Sequence, residues 1–439
     1  MGAIRLERWV FTWPVLLASL LALLIGRCYE FLLAPTLRVE DGAKVFAYFY
    51  GRPEWSNLFR FKAGYMPFGP NLIGFLSARL PVTITPYALT IVPFAQAVLA
   101  FALFYCRDFR VCVRSDAVRW TVCLAMAVVP VGQFHLLCHT DFSIWSALLI
   151  VFLLALLPSG KNWWKTLAVL AVAQLFIWSN PLSFLAVPVH LARLVFARGI
   201  QARVAQLAWV ATHVAHAVFG LEPGHASALG AELLNADFWR ELVSRTWWHV
   251  AAKVCFRAFF GADICAWAEG NAAFLIHGFT AAFAIAVFAI VMRRPRHGTR
   301  FVYLTLAYFV VALTAVIVAT KSEVAIAGGH QRYHYVQALL VIALGVLVTA
   351  HGAAFLKPLL ARRFAPAVSF AGFGVLSCTV LGNLAAYREP YPENAARIRE
   401  CTQRLSELER GHSGRRCGFR LQCRKTKDWT MHISTPPCE

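Results

Sequence analysis

Apolar residues occur along the chain in long blocks that short polar stretches separate. A helix needs about 20 apolar residues to cross a bilayer, and most of the blocks approach or exceed that length. They cover residues 11–33, 82–105, 120–138, 142–158, 164–179, 182–197, 204–220, 271–292, 301–319, 335–356 and 365–387. The pattern predicts an all-α integral membrane protein with about eleven transmembrane helices. The blocks at 164–179 and 182–197 are short enough to form a hairpin within the bundle.

The composition agrees with the pattern. Hydrophobic residues make up 59% of the 439 residues and charged residues only 15%, which excludes an ordinary soluble protein. The net charge of +20 would suit nucleic-acid binding, but the basic residues form short clusters between apolar blocks. Such clusters indicate membrane topology, so we expect no nucleic-acid partner.

The basic clusters fall at every second boundary between blocks. They are Arg5 with Arg8, residues 107–119, Lys161 with Lys165, and residues 193–203, 293–300 and 357–363. The positive-inside rule assigns these boundaries to the cytoplasm, so the loops 34–81, 139–141, 180–181, 221–270 and 320–334 face the periplasm or an equivalent outer space. We expect a multi-pass protein of a bacterial inner membrane. Its first block reads as an uncleaved signal anchor.

Residues 1–387 are predicted to form the membrane domain, and residues 388–439 a cysteine-containing tail. An odd number of crossings places the tail outside, where an even number of cysteines suits two disulfides in one of three pairings. These cysteines are Cys401, Cys417, Cys423 and Cys438. The many Arg and Lys residues of the tail also suit the cytoplasm, so a reduced or zinc-binding tail remains the alternative.

Nucleotide-binding and zinc-protease motifs are absent from the sequence, which argues against an ATP-driven pump or a membrane zinc protease. Chemistry is therefore expected in the outer loops. In the first loop, Glu40 and Asp41 are adjacent carboxylates, and their repulsion raises the proton affinity of one of them. A carboxylate in a partly dry cleft can act as a general base. The alternative is a solvated acid pair that Arg38 and Lys44 balance.

A second outer segment carries Lys321, two glycines, His330 and the pair Arg332-Tyr333. The planar guanidinium group of Arg can donate two hydrogen bonds to one phosphate. Glycines let backbone amides approach the phosphate, and His330 or His334 adds a hydrogen-bond donor. The segment therefore predicts a phosphate site. Anchoring at the membrane interface is the alternative use of Arg and Tyr.

Two further outer stretches predict interfacial elements. Lys62 and residues 64–71 combine prolines, glycines and aromatics in a way that suits a segment lining a cavity. Residues 231–258 mix tryptophans with basic residues and predict a second such element. Cys255 and Cys265 lie on the same predicted side, where a disulfide between them is expected.

The turn containing His135, Cys138, His139 and Asp141 has the residue types of a metal site. Four ligands within seven residues at a helix end need a geometry that a helical hairpin rarely supplies, so we expect no metal there. Asp141 is expected to cap the helix that starts at Phe142. A position in the catalytic cavity, as a second acid, is the alternative.

The acid pair just after the first helix resembles the signature of GT-C glycosyltransferases, which take sugars from polyprenyl-phosphate carriers. In that superfamily an acid at this place is the catalytic base, which implies Asp41 first and Glu40 second. The Arg332-Tyr333 pair before a late helix is similar to segments whose Arg holds the carrier phosphate. The resemblance implies a GT-C-like helical fold with periplasmic interfacial helices, and some relatives carry a second acid in a later loop, as Asp141 would be.

The expected activity is hexosyl or pentosyl transfer, with inversion, from a polyprenyl-phosphate sugar to a hydroxyl of a glycan, lipid or protein of the cell envelope. Asp41 would take the acceptor proton, and Arg332 with Lys321 or a histidine would stabilise the leaving phosphate. Lys62 is a further candidate for phosphate binding. No cofactor is expected, and a divalent metal stays open. The alternatives are a transporter or flippase for a lipid-linked glycan, which the scarcity of Asp, Glu and Lys in the blocks disfavours, and a polysaccharide polymerase or ligase.

Overall fold

The structure is a computed structural model that describes most of the membrane part and some of the tail. It covers residues 12–35, 45–50, 54–62, 64–129, 137–157, 163–197, 199–220, 236–293, 297–320, 331–359, 395–411, 420–424 and 430–434. Every structural statement below concerns these residues. The last predicted block, 365–387, lies outside them, and helices form over the other ten blocks.

Fourteen helices carry the labels used here. They are α1 (Trp13–Leu33), α2 (Phe68–Ser77), α3 (Thr85–Ala102), α4 (Asp116–Val128), α5 (Ser143–Ala155), α6 (Trp163–Ile177), α7 (Val187–Phe196), α8 (Ile200–Phe219), α9 (Ala236–Trp248), α10 (Arg257–Asn271), α11 (Ala273–Arg293), α12 (His297–Thr320), α13 (Tyr335–Leu359) and α14 (Ala395–Gly411). A π-helix, His249–Phe256, joins α9 to α10. Short 3₁₀ helices cover Trp55–Phe59, Leu103–Tyr105, Arg107–Val111, Pro181–Ala186 and Gln331–His334, and a one-turn helix covers Ala47–Phe49.

Four helical segments of the described chain are long and apolar enough to cross a membrane. They are Trp13–Leu33, Thr85–Val111, Ala273–Arg293 and Gly298–Thr320. Shorter apolar helices cover Ser143–Ala155, Trp164–Ile177, Pro181–Phe196 and Tyr335–His351. The predicted helical class is confirmed, whereas the count of about eleven crossings stays a prediction.

The core of the bundle lies around α5 and α13, whose side chains are buried along most of their described length. Phe152 of α5 stacks on Phe309 of α12, with ring centroids 4.0 Å apart. Gly345 lets α13 approach α10 closely, because a Cβ at this position would lie 2.6 Å from the Phe259 ring. Small residues that permit such approach are the usual means of helix packing inside a membrane.

One end of the bundle, here called the Lys62 end, collects the turns that follow or precede several helices. The Met66 amide donates to the Gly220 carbonyl (2.9 Å), which ends α8, and the Phe68 amide donates to the Trp178 carbonyl (3.0 Å), which ends α6. Lys62 pairs with Asp141, just before α5. These turns all belong to loops that the charge pattern assigns to the outer side.

The opposite end, here called the Arg119 end, collects segments with the predicted cytoplasmic charge clusters. Lys165 donates to Asp108 (2.7 Å), and Arg193 donates to the Leu156 carbonyl. The Thr299 hydroxyl donates to the Cys112 carbonyl (3.4 Å). The described loops therefore separate into the same two groups as the charge pattern.

The tail packs at the Lys62 end. Leu405 of α14 is fully buried in a cluster with Val45, Phe46 and Phe49, which follow the predicted acid pair, and with Phe75 of α2. Arg420–Arg424 and Thr430–Ser434 form β1 and β2, an antiparallel pair. The side chains of the four tail cysteines lie outside the described part, so their oxidation stays a prediction.

Candidate active site

Lys62 and Asp141 form an ion pair between segments 79 residues apart. Lys62 lies in a tight turn, in which its amide donates to the Tyr65 carbonyl (2.7 Å) and Gly64 has a φ of 85°. The Lys62 and Asp141 side chains are only 20% and 13% exposed. Both residues were predicted as site candidates, but nothing in the sequence indicated that they form a pair. Their contact neutralises a charge that Lys62 was expected to offer to phosphate.

The expected cap by Asp141 is wrong. Helix α5 begins at Ser143, and its N-cap residue Phe142 has no side-chain hydrogen bond to the helix. The Thr140 hydroxyl, expected to assist, donates instead to the Leu89 carbonyl at 2.8 Å. The Lys62 ammonium is a stronger partner for a partly buried carboxylate than a backbone amide, because both groups carry charge.

Within the described residues, His, Cys, Asp and Glu side chains form no group of three that could hold a metal ion. His135, one of the four residues considered for a metal, lies outside the described part. Cys138 and His139 are buried beside Asp141.

Tyr333 brings the second predicted segment to the same end of α5. Its ring lies edge-to-face against Trp145, with centroids 6.0 Å apart, and Trp145 is one turn beyond Asp141. The backbone of Arg332 lies in the same 3₁₀ turn, Gln331–His334. The Arg332 side chain lies outside the described part, as do Lys321, His330, Glu40 and Asp41. The structure thus brings together Lys62, Asp141 and Tyr333 and leaves the other candidates as predictions.

A buried histidine pair follows Tyr333. His334 is 4% exposed and stacks on His249 of the π-helix, with ring centroids 5.3 Å apart. Neither nitrogen of His334 has a hydrogen-bond partner among the described residues. Burial, and then the charges of His249, Arg257 and Lys253, lower the pKa of His334 to about 3. The imidazole is therefore neutral at physiological pH, with one donor and one acceptor nitrogen.

Two cations follow His249 on the same stretch of helix. Lys253 donates to both carboxylate oxygens of Glu269 (2.6 and 2.7 Å), so its charge is balanced. Arg257 is half-buried, and its guanidinium has no hydrogen bond within the part of the chain described here. Burial lowers the pKa of Arg257, against the effect of the charges of Cys265, Glu269 and Asp263. Sequence reasoning placed both cations in a basic interfacial segment and missed them as site residues, although their spacing from His249 in steps of four was visible.

The predicted disulfide between Cys255 and Cys265 is wrong, since both are free thiols in the structure. The Cys265 thiol points to the Glu269 carboxylate and to the Ala252 carbonyl, each at 3.3 Å. Burial, and then the hydrogen bond to Glu269, raise the pKa of Cys265 to about 12. The thiol therefore stays protonated and acts as a donor inside this polar cluster.

An apolar groove of about 530 Å³ opens beside the cluster. It lies between α9, the π-helix, α11, α12 and α13. Its walls are almost entirely apolar and include Trp247, Val250, Val287, Val310 and Leu344. A groove of this size and character suits an apolar ligand.

The helices and their apolar surfaces define a helical membrane protein. No protein-family description and no curated protein matches the chain. One similar solved structure is an oligosaccharyltransferase from Archaeoglobus fulgidus, tethered through a disulfide bond to an acceptor peptide that contains the NVT sequon. The identity is 13% and the TM-score is 0.47, over 98% of this chain and 61% of that protein. The chain thus spans about three fifths of the length of that oligosaccharyltransferase.

Proposed function

We propose that the protein is a GT-C-type membrane glycosyltransferase that moves a sugar from a polyprenyl-phosphate carrier to an acceptor hydroxyl of the cell envelope. One observation carries the proposal: two separate predicted site segments meet at one end of α5. Asp141 pairs there with Lys62, and Tyr333 packs on Trp145. An acid and a phosphate-binding turn at the same end of a membrane bundle are the two parts that this reaction needs.

The proposed reaction is a single displacement. Asp41, with Glu40 as second choice, takes the proton of the acceptor hydroxyl, whose oxygen attacks the anomeric carbon. The bond from that carbon to the phosphate oxygen breaks, so the configuration inverts. Arg332, with Lys321 or His330, stabilises the charge that develops on the phosphate. A phosphate leaving group needs no strong acid.

The ion pair gives Lys62 and Asp141 a different role from phosphate binding. Lys62 fixes the direction of the Asp141 carboxylate, since the two groups form an ion pair and are mostly buried together. We assign Asp141 the part of a second acid at the acceptor side, with Lys62 as its positioning residue. Asp141 then accepts a hydrogen bond from the acceptor and does not compete with Asp41 for the proton.

For orientation, we propose a bacterial inner membrane with the Lys62 end facing the periplasm. Support comes from the Arg119 end, where the segments 107–119, 193–203 and 293–300 supply the basic clusters that the positive-inside rule places in the cytoplasm.

The test uses purified protein with a synthetic polyprenyl-phosphate sugar. Asp41→Asn keeps the size of the side chain but removes the proton acceptor, so turnover should fall about 10²-fold or more while donor binding survives. Arg332→Ala should weaken donor binding and turnover together by about 1.5–3 kcal/mol. Arg332→Lys should restore only part of the loss, because an ammonium lacks the planar fork.

Asp108→Asn at the opposite end is the matched control, and it should leave turnover unchanged. Full activity in Asp41→Asn would indicate that Glu40, and not Asp41, is the catalytic base. Full activity in the double variant Glu40→Gln and Asp41→Asn would exclude the acid pair from the mechanism. Activity in the presence of a chelator decides whether a divalent metal takes part.

A transporter is the second candidate, and a specific observation favours it. Three histidines are buried inside α7 and α8: His190, His213 and His216. His190 bonds to Gln206 (2.8 Å) and stacks on His213, and neither nitrogen of His213 has a partner in the described residues. Ionisable residues inside a membrane bundle often mark solute or proton pathways. Movement of a lipid-linked glycan in liposomes without any covalent sugar transfer would favour this candidate.

A further inference from the structure

The π-helix His249–Phe256 lies between a cluster of polar side chains and the apolar groove. His249, Lys253 and Arg257 follow one another in steps of four and lie on one face. Val250 and Cys255, between them in the sequence, line the apolar groove. π-Helical turns are rare and occur mostly at functional sites. Residues 249–257, the π-helix and the first residue of α10, thus contribute to both a charged cluster and an apolar groove.

In the polar cluster beside the π-helix, Arg257 is the cation that has no hydrogen-bonded carboxylate among the described residues. Glu269 neutralises Lys253 through two hydrogen bonds. Glu269 and Asp263 act on Arg257 only through space, without a hydrogen bond, and the Asp263 side chain is exposed. The Arg257 guanidinium therefore keeps its full set of donors in a half-buried place, where a cation without an anion is costly.

His334 supplies a second and independent indication of a ligand. It is 4% exposed, it stacks on His249, and both of its ring nitrogens lack partners among the residues described. Buried polar groups are normally hydrogen-bonded, so such a side chain needs a partner from outside the described chain. A neutral imidazole beside an arginine can donate to a phosphate oxygen.

We propose that this place binds an anionic amphiphile, with its phosphate group between Arg257 and His334 and its apolar chain in the groove of about 530 Å³. The groove alone would accept any lipid tail, and the cation alone any anion. His249, which stacks on His334, precedes Val250 of the groove wall, and Arg257 follows Cys255 of the groove wall by two residues. One molecule that carries both parts therefore fits best. The inference deepens the proposed function and rests on it in one respect: the occupant is then the polyprenyl-phosphate donor or its spent carrier.

The experiment measures binding without turnover, with full-length protein in a neutral detergent and farnesyl phosphate as the probe. Inorganic phosphate, farnesol and phosphatidylglycerol are the comparison ligands. We expect farnesyl phosphate to bind at least about 10-fold more tightly than each of the three, since only it presents a terminal phosphate on an isoprenoid chain.

Arg257→Ala should weaken binding of farnesyl phosphate about 10- to 100-fold, as expected for loss of a charge-assisted contact. Arg240→Ala is the matched control, because Arg240 is exposed near the start of α9. His334→Ala should give a smaller loss in the same direction. Unchanged binding in Arg257→Ala, with Arg240→Ala also unchanged, would overturn the headgroup site.

Ala284→Phe tests the chain site. Ala284 lines the groove and is exposed, so a phenyl group fills the groove without pressing into the core. Farnesyl phosphate should then bind about as weakly as inorganic phosphate. Ala282→Phe, exposed on the same helix but outside the groove lining, should bind like the unchanged protein. Equal losses in both variants, or none in Ala284→Phe, would overturn the chain site.

The remaining outcomes separate the two proposals. Equal affinity for phosphatidylglycerol would show a site for bulk anionic lipid, and equal affinity for inorganic phosphate would show an anion site only; each overturns the inference. Farnesyl phosphate binding that needs Arg257, in a protein without transferase activity, would sustain the inference and remove the proposed function. If the protein transfers sugar and Arg257→Ala binds farnesyl phosphate normally, the proposed function would be sustained and the inference overturned.

Discussion

An arginine that is at least half-buried lies near each end of the bundle, and the two differ in their hydrogen bonds. Arg119 is 1% exposed, and its guanidinium donates to the Tyr105 carbonyl (2.5 Å), the Cys106 carbonyl (2.8 Å) and Asp116. Arg257 is half-buried and has no hydrogen bond within the described residues. A cation whose donors are used by its own chain stabilises a turn, whereas a cation with free donors is available to a ligand.

The ion pairs of the two ends differ in their exposure to solvent. Lys165 and Asp108, at the Arg119 end, are 58% and 42% exposed. Lys62 and Asp141 are 20% and 13% exposed. Exposed pairs contribute about 0–1 kcal/mol because water screens them, while a pair out of water depends on its partner. The mostly buried Lys62–Asp141 pair therefore contributes to the structure of its end, whereas the exposed Lys165–Asp108 pair is expected to contribute little.

The largest expected difference between the two ends is access from outside the cell. A cysteine at Ala43 or Ala327 should react with a membrane-impermeant maleimide in intact cells. A cysteine at Ala197, which follows α7 at the Arg119 end, should react only after the membrane is opened. The measurement is labelling of each variant relative to the unsubstituted chain.

The unsubstituted protein also serves as the control, because any exposed native cysteine would react with the maleimide too. Labelling of the Ala197 variant alone in intact cells would reverse the orientation and remove the proposed periplasmic reaction.

The ion pairs should differ in stability by a smaller amount. Lys62→Met or Asp141→Asn should each destabilise the protein by about 1.5–3 kcal/mol, since each removes one member of a mostly buried ion pair. Lys165→Met at the exposed pair should cost about 0–1 kcal/mol. Denaturant titration in mixed micelles measures these values.

The double variant Lys62→Met with Asp141→Asn sharpens the comparison, because it removes both charges together. Its loss should be clearly less than the sum of the two single losses. Strict additivity of the single losses would mean that the two side chains do not interact.

The smallest expected effect is a pH dependence at the Arg119 end. Burial tends to raise the pKa of Asp116, but hydrogen bonds from Arg110 and Arg119 outweigh it and hold the pKa below its usual value. A depressed pKa gives stability that is present above the ordinary aspartate pKa of about 4 and is lost as the pH falls through the lower folded value. Thermal unfolding between about pH 6 and pH 3 should show this loss, and Asp116→Asn should flatten it. An identical pH profile in both proteins would show that Asp116 does not contribute.

Much of the helical framework could be predicted from the apolar blocks. Helices cover ten of them, and the described loops gather into the two groups that the basic clusters indicate. Finer features could not be predicted. Arg27 lies inside the first block, yet it is buried and donates to the Val129 carbonyl (3.0 Å) just after α4. Which helix end takes up such a donor depends on packing between helices far apart in sequence.

The candidate site also combines features that could be predicted from the sequence with features that could not. Residue types and loop positions selected Lys62, Asp141 and Tyr333, which the structure brings to one end of α5. Local reasoning failed where a distant partner competes with a near one. Asp141 pairs with Lys62 and does not cap α5, and Cys265 bonds to Glu269 and does not join Cys255.

By itself, the sequence determined the membrane class, the order of the helices and the chemistry offered by each loop. These properties follow from local composition, because a run of about 20 apolar residues partitions into lipid whatever surrounds it. Only the tertiary structure decided which polar groups are matched: Lys253 has Glu269, while the side chains of Arg257 and His334 have no hydrogen-bond partner in the described residues. The physical reason is that an electrostatic contact depends on distance and burial, which close packing of remote helices sets.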